Sequence, residues 1–215
     1  MQVEIWSDIA CPWCYVGKRR FETALAEFDH ADEVQITWRS YELDPAAAAE
    51  TPGDMAERLA AKYGMSVAQA REMEANMIAT AAGEGLDYRL DIRRSANSFD
   101  GHRLIHLANE RGLADAMKER LLAAHFTEGW LISDPEALVA LASEVGLNPD
   151  EVRAMLAGDR FRAEVRADEE AAQQFGISGV PTFIVDRQLG VSGAQSPEVL
   201  LGLLQQGWEQ RTPVS

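Results

Sequence analysis

The chain has 215 residues, 47% hydrophobic and 26% charged, with 20 Lys and Arg against 35 Asp and Glu for a formal charge of -15. That usage excludes disordered, collagenous and disulfide-framework classes, and a chain of this length buries a core without staples. The acidic balance repels phosphate backbones and anionic lipid, so neither nucleic acid nor a membrane surface is an expected partner. In chain order, residues 3–7 read as a short buried strand. Val16, Phe21, Leu25 and Phe28 then recur at helical spacing opposite Lys18, Arg19, Arg20 and Glu22. Residues 34–38 form a second strand candidate, completing a βαβ unit with parallel strands. The break from Asp44-Pro45 to Thr51-Pro52-Gly53 leads into a helical block, with candidates at 54–63, 66–82, 97–111, 114–128, 134–145, 149–157 and 159–175. Residues 83–92 read as a connecting loop. Sheet pattern returns at 182–185 and 189–191, a hairpin, and Ser196-Pro197-Glu198 opens a last helix through Trp208.

The two cysteines, Cys11 and Cys14, stand in Cys11-Pro12-Trp13-Cys14 at the handover from strand to helix. Chance puts two cysteines three apart only about one time in 100, so the spacing is itself a signal. Pro12 suits an early helical position. The unpaired N–H groups and positive dipole end of a first turn favour a thiolate, which predicts a depressed pKa and a nucleophilic role for Cys11. Cys14, one turn on, faces the same side as the resolving thiol. Pro12 and Trp13 keep the turn stiff and partly dry.

Two other readings of the cysteines stand beside this one: inert buried thiols, and half of a zinc site completed by His102 and His106. Against zinc, the pairs lie far beyond zinc-finger spacing, and position 103 is Arg where a zinc protease carries Glu. No metal or organic cofactor is called for by the dithiol chemistry. Nothing at the N-terminus resembles a secretory signal, and the longest aliphatic run, 137–142, is too short to span a bilayer. The expected location is therefore cytoplasmic, where structural disulfides are rare.

Further candidates lie outside the motif. Asp8, three residues before Cys11, is a candidate proton relay, with a strand-end turn aspartate as the alternative reading. On a helical wheel Phe99, His102, His106 and Asn109 oppose an apolar arc, so Phe99, Asp100 and His102 are candidates for an insertion-side wall over Cys11, against a solvated face. Asp168-Glu169-Glu170 reads as a solvated helix face. Gly83-Glu-Gly85 lacks the marks of a phosphate loop, and Gly190-Val-Ser-Gly193 those of a nucleophile elbow. Met65, Met73 and Met77 read as core, with a pliable substrate surface as the alternative reading. Pro181, before the third strand, marks a constrained X-Pro bond, cis included.

The order βαβ, helical block, ββα, with C-x-x-C opening the first helix and Val-Pro-Thr ahead of the third strand, resembles the thioredoxin fold. With its large all-α insertion the chain resembles the DsbA family. Asp8-Ile-Ala-Cys-Pro-Trp-Cys-Tyr-Val-Gly17, Asn97-Ser-Phe-Asp-Gly-His102, Gly179-Val-Pro-Thr-Phe and Gly190-Val-Ser-Gly-Ala-Gln195 are similar to its cytoplasmic FrnE-type branch. The resemblance implies a discontinuous thioredoxin-like domain (1–45 and 176–215) interrupted by a helical domain (46–175), with a cleft between them. It implies Cys11 as attacking thiol, Cys14 as resolving thiol, Pro181 as the cis-proline, and Val180 offering backbone hydrogen bonds to a bound peptide or thiol. The implied activity is thiol–disulfide oxidation or reduction of a protein or small molecule, with glutathione or another thiol as redox partner. Trp13 departs from the histidine of periplasmic DsbA, which puts strong oxidising power in doubt, and the second cysteine pair of some FrnE-type members is absent. The scaffold is also similar to 2-hydroxychromene-2-carboxylate isomerase and kappa-class glutathione transferase. Those relatives typically have serine at the first cysteine position, which makes a glutathione-dependent isomerase or transferase the alternative function.

Overall fold

The computed structural model describes residues 1–211; residues 212–215, the end of the range expected for the thioredoxin-like part, lie outside the described residues. The order is β1 (Gln2–Ser7), α1 (Pro12–Ala26), β2 (Gln35–Ser40), α2 (Met55–Tyr63), α3 (Val67–Gly83), α4 (Phe99–Asn109), α5 (Ala114–Ala123), α6 (Pro135–Glu144), α7 (Pro149–Ala157), α8 (Arg162–Gln174), β3 (Thr182–Val185), β4 (Leu189–Ser192) and α9 (Pro197–Glu209). The sheet runs β2-β1-β3-β4: β1 is parallel to β2 and antiparallel to β3, and β3 is antiparallel to β4. Register places Ile5 opposite Trp38 on one side and Phe183 on the other. This is a DsbA-like thioredoxin fold with a helical insertion.

Both faces of β1 are covered, which is why it reads as a nearly continuous apolar strand. Val3 and Ile5 face α1 and α9, where Phe21 stacks on Phe183 at 5.4 Å. On the opposite face Trp6 packs with Ile184 and Ala172 of α8, and its indole N–H donates to the Asp168 carbonyl at 2.9 Å. Gly207 of α9 lies so close to β3 that a Cβ there would stand 2.4 Å from Val185 Cγ1.

The core is continuous from the sheet into the insertion: Val3, Ile5 and Phe183 belong to the same cluster as Leu104, Leu107, Met117, Leu121 and Leu138. Helix α5 reaches back to the thioredoxin-like part with charge as well. Lys18 of α1, buried at its side chain, pairs with Glu22, Asp115 and Glu119, and Trp38 Nε1 donates to Asp115 at 3.0 Å. After Ala123 the expected long helix continues only as a π-helical turn over 124–128, which turns His125 and Phe126 inward.

One surface expectation is corrected. Asp168 is buried, not solvated: its carboxylate accepts the Ser40 amide at 2.9 Å and the Arg39 guanidinium at 2.9 Å, and lies 3.1 Å from His106 Nε2. A carboxylate that accepts a strand-end amide and an arginine, with an imidazole beside it, repays its desolvation, and periodicity carries no sign of those partners. The methionines divide: Met77 is buried, whereas Met73 is exposed.

Candidate active site

Cys11 is the N-cap of α1, with extended backbone (φ -90°, ψ 115°), and Pro12 takes the first helical position. Both cysteines are free thiols. Cys11 keeps 4% exposure and Cys14 only 1%, so the N-cap sulfur is the one nearer to solvent. The Cys14 amide donates to the Cys11 carbonyl at 3.0 Å, closing the first turn. Trp13 is 46% exposed, an apolar ring held beside the motif.

The third strand delivers the second half of the site. The Val180–Pro181 peptide is cis, and the Val180 carbonyl lies 3.5 Å from Cys11 Sγ, placed to accept the thiol proton. Gly17 makes this approach available, since a Cβ there would sit 2.7 Å from Pro181 Cγ. The Pro181 carbonyl accepts the Gly193 amide at 2.7 Å, tying the proline segment to the end of β4.

The two thiols form a coupled pair. Hydrogen bonding to Cys14 holds the Cys11 proton and pushes its pKa well up, with burial and the negative charges of Cys14 and Asp8 adding to the rise. Burial works against a Cys14 thiolate, but the Cys11 thiol, the Lys118 ammonium and the Ser7 hydroxyl outweigh it and bring Cys14 down. The two sulfurs therefore ionise as one coupled pair. The helix N-terminus acts on both sulfurs, and the Lys118 ammonium favours negative charge on the pair.

Asp8 stands at the centre of the supporting shell. Its Oδ1 accepts the Ala10 amide at 3.1 Å and lies 3.4 Å from His102 Nε2, while Oδ2 accepts the Leu43 amide at 2.7 Å. Burial would raise its pKa, but the His102, Leu43 and Ser98 hydrogen bonds lower it to about 2. Burial lowers His102. At neutral pH the contact is therefore a neutral imidazole N–H donating to a carboxylate, not an ion pair.

The remaining candidates divide: His102 is buried, whereas Phe99 and Asp100 are half-buried. His102 is 1% exposed and reaches the motif only through Asp8. Phe99 lies under the guanidinium groups of Arg166 at 4.5 Å and Arg162 at 5.2 Å, both on α8. Asp100 pairs with Arg103, a fully buried arginine that also donates to the carbonyls of Met155, Gly158 and Arg160. The polar arc of α4 is thus spent on Asp8 and on α7–α8. Among the described residues no group of three or more His, Cys, Asp or Glu side chains is placed to hold a metal ion; the two histidines of the zinc reading face Asp8 and Asp168.

Three residues of the site lay outside the sequence reading. Tyr88, from the loop after α3, donates its hydroxyl to the Pro12 carbonyl at 2.6 Å and stacks on Phe126 at 4.9 Å. Ser7 ends β1 with a buried hydroxyl that has no hydrogen-bond partner of ordinary geometry; it acts on Cys14 as a nearby dipole. Lys118 of α5 is 1% exposed and donates to the Ser7 carbonyl at 3.1 Å. One signal for it was available: Ala114, Lys118, Leu121, Leu122 and His125 share a helical stripe, and a lysine on an apolar stripe is a buried cation in need of a counter-charge.

The chain resembles known proteins along its length. It is 51% identical to the probable DsbA oxidoreductase of Streptomyces coelicolor, whose crystal structure superposes with a TM-score of 0.95 over 100% of this chain and 93% of that one. Two further structures share the fold. The cytosolic disulfide reductase DsbM of Pseudomonas aeruginosa, solved with GSH, is 18% identical, with a TM-score of 0.70 over 97% of this chain and 100% of that one. A 2-hydroxychromene-2-carboxylate isomerase is 17% identical, with a TM-score of 0.75 over 100% of both chains. No helix among the described residues is long and apolar enough to cross a membrane. The DSBA-like thioredoxin domain model matches residues 2–205, and the chain belongs to that family of thiol oxidoreductases.

Proposed function

We propose that this protein catalyses thiol–disulfide exchange through Cys11 and Cys14 on protein or small-molecule disulfides. The observation that carries the reading is the pair itself: two free thiols one helical turn apart, the less buried one at the N-cap and facing the cis Val180–Pro181 peptide. The Cys11 thiolate attacks a substrate disulfide R–S–S–R′, a Cys11–S–S–R bond forms as the S–S bond breaks, and R′–S⁻ leaves to be protonated by solvent. Cys14 then gives its proton to solvent and attacks Cys11 Sγ; the Cys11–Cys14 disulfide forms and R–S⁻ departs, to be protonated in turn. Run backwards, the same steps oxidise a dithiol substrate. Neither direction needs a metal or an organic cofactor.

The other residues of the site divide the remaining work. Pro12, Trp13 and Val180 form the near-surface rim on which an extended substrate would rest, and Pro181 closes it. Asp8, already accepting two amides and the His102 N–H, holds no proton at neutral pH, so we read it as a fixed charge and clamp. Glutathione is the proposed electron partner, a choice supported by a family neighbour solved with GSH and called a cytosolic disulfide reductase; the cytosol is the proposed location. A glutathione-dependent isomerase or transferase leaves the second buried thiol without a role.

Single-cysteine variants test the reaction. Cys14→Ser mixed with glutathione disulfide is expected to accumulate a stable Cys11–glutathione adduct, seen by mass spectrometry, while Cys11→Ser accumulates none. Equal labelling of both variants would remove the assignment of roles.

A further inference from the structure

We propose that the cavity between α2, α3 and the segment 90–93 recognises small disulfides that carry an amino-acid zwitterion, with Arg93 taking the carboxylate and Glu74 the ammonium. The inference rests on the exchange reaction proposed above and names a class of substrate for it. The cavity holds about 560 Å³, has apolar walls at Met55, Ile78 and Leu90, and is lined by both Arg93 and Glu74. A stack of rings ties Arg93 to the motif. Its guanidinium lies 5.6 Å from the centre of Phe126, Phe126 stacks on Tyr88 at 4.9 Å, and the Tyr88 hydroxyl donates to the Pro12 carbonyl at 2.6 Å. Arg93 also stands close enough to Cys11 for the two charges to act on one another.

The two other arginines that line the cavity are spent. Arg71 pairs with Asp54, and Arg58 donates to the Thr51 and Pro52 carbonyls and to the Ser95 hydroxyl. Arg93 is not spent. Its Nε is buried with no hydrogen-bond partner, and among the described residues no carboxylate comes within ion-pairing distance of its guanidinium. A guanidinium stripped of water and given no acceptor is under-satisfied, and a carboxylate in the cavity can accept two parallel N–H bonds from it. Of the groups that face Arg93, Arg58 is a like charge, Tyr88 and His125 are neutral at neutral pH, and Cys11 and Glu74 lie out of contact. Glu74, on the α3 wall, makes no hydrogen bond or ion pair of its own among the described residues. One cavity thus offers a free cation and a free anion held apart from each other.

A purely anionic ligand would leave Glu74 facing a like charge and would enter against the net charge of -15. A ligand with a carboxylate and an ammonium answers both side chains and carries no net charge at that end. Cystine and glutathione disulfide both bring this chemistry, the first beside its sulfur and the second at its γ-glutamyl end. The cavity holds the end of the substrate that does not react, while the S–S bond meets Cys11. Arg93 and Glu74 are binding residues, and the exchange at the sulfurs runs as written above.

The test is calorimetric titration of the whole protein at pH 7 with S-methylcysteine and with S-methylglutathione, whose blocked sulfurs cannot exchange. A third probe, 3-(methylthio)propanoate, keeps a carboxylate and lacks the ammonium. Wild type is expected to bind at least one zwitterion more tightly than 3-(methylthio)propanoate, and which one it binds tells a cysteine-like from a glutathione-like substrate. Arg93→Met is expected to weaken that binding at least about tenfold, through loss of a charge-assisted hydrogen-bond pair. Arg94→Met, at the neighbouring arginine that pairs with Glu50, is expected to leave it unchanged. Glu74→Gln is expected to weaken the zwitterion severalfold without weakening 3-(methylthio)propanoate, and it carries the test if Arg93→Met does not fold. Wild type that binds neither zwitterion, or that shows no preference over 3-(methylthio)propanoate, overturns the site; so does zwitterion binding that survives either substitution unchanged. Zwitterion binding through Arg93 in a protein whose Cys11 forms no adduct with glutathione disulfide refutes the exchange reaction instead, which separates the two failures.

Discussion

Asp8 couples the active-site turn to acid stability, and the coupling has a size. Its carboxyl falls from an ordinary 3.8 to about 2 in the folded protein because the His102, Leu43 and Ser98 hydrogen bonds outweigh burial. A carboxyl whose folded pKa lies below its unfolded one contributes stability that is fully present above the unfolded value and is lost as pH falls through the folded one. The window is therefore about pH 4 down to about pH 2. The shift corresponds to about 2 kcal/mol at neutral pH. Asp8→Asn keeps an acceptor for only one of the Ala10 and Leu43 amides, which meet different oxygens, and cannot titrate there. Urea unfolding of both proteins at pH 7, 5, 4, 3 and 2 is expected to show wild type losing about 2 kcal/mol relative to Asp8→Asn across the window. A difference between the two that stays constant with pH would refute the reasoning, because the carboxylate would then owe nothing to its folded partners.

Three other substitutions follow from close contacts. Gly17→Ala places a methyl 2.7 Å from Pro181 Cγ; by analogy with overpacked cores it should cost about 1–3 kcal/mol and slow the first thiol release, read by unfolding and by stopped flow. Gly207→Ala, 2.4 Å from Val185 Cγ1 on the far helix, should cost a similar ~1–3 kcal/mol while leaving the thiol kinetics unchanged. Tyr88→Phe removes the hydroxyl donor to the Pro12 carbonyl; the expected cost is about 1 kcal/mol in urea unfolding.

Much of the fold was legible because strand and helix periods are local. The strands at 182–185 and 189–191, and the helices closed by Gly64 and Gly146 or opened by Pro135 and Pro149, fall within a few residues of their observed bounds. The pair of cysteines was legible for the same reason, being one motif on one helix turn. What the sequence could not carry was pairing across distance. Asp168 looked solvated because Ser40, Arg39 and His106 come to it from other elements. His102 looked like one face of an open cleft because its partner, Asp8, lies on the turn after β1. Lys118 went unread for the same reason, since it reaches the Ser7 carbonyl from the insertion.

The central claim is that Cys11 and Cys14 form a reversible redox couple. Protein equilibrated in graded glutathione buffers, with free thiols trapped and products weighed, tests it directly. The account predicts a reversible two-proton mass change confined to Cys11 and Cys14, with a midpoint that sets the direction of electron flow against the cytosolic poise. Stable glutathione adducts on Cys11, or thiols that never interconvert, would contradict it.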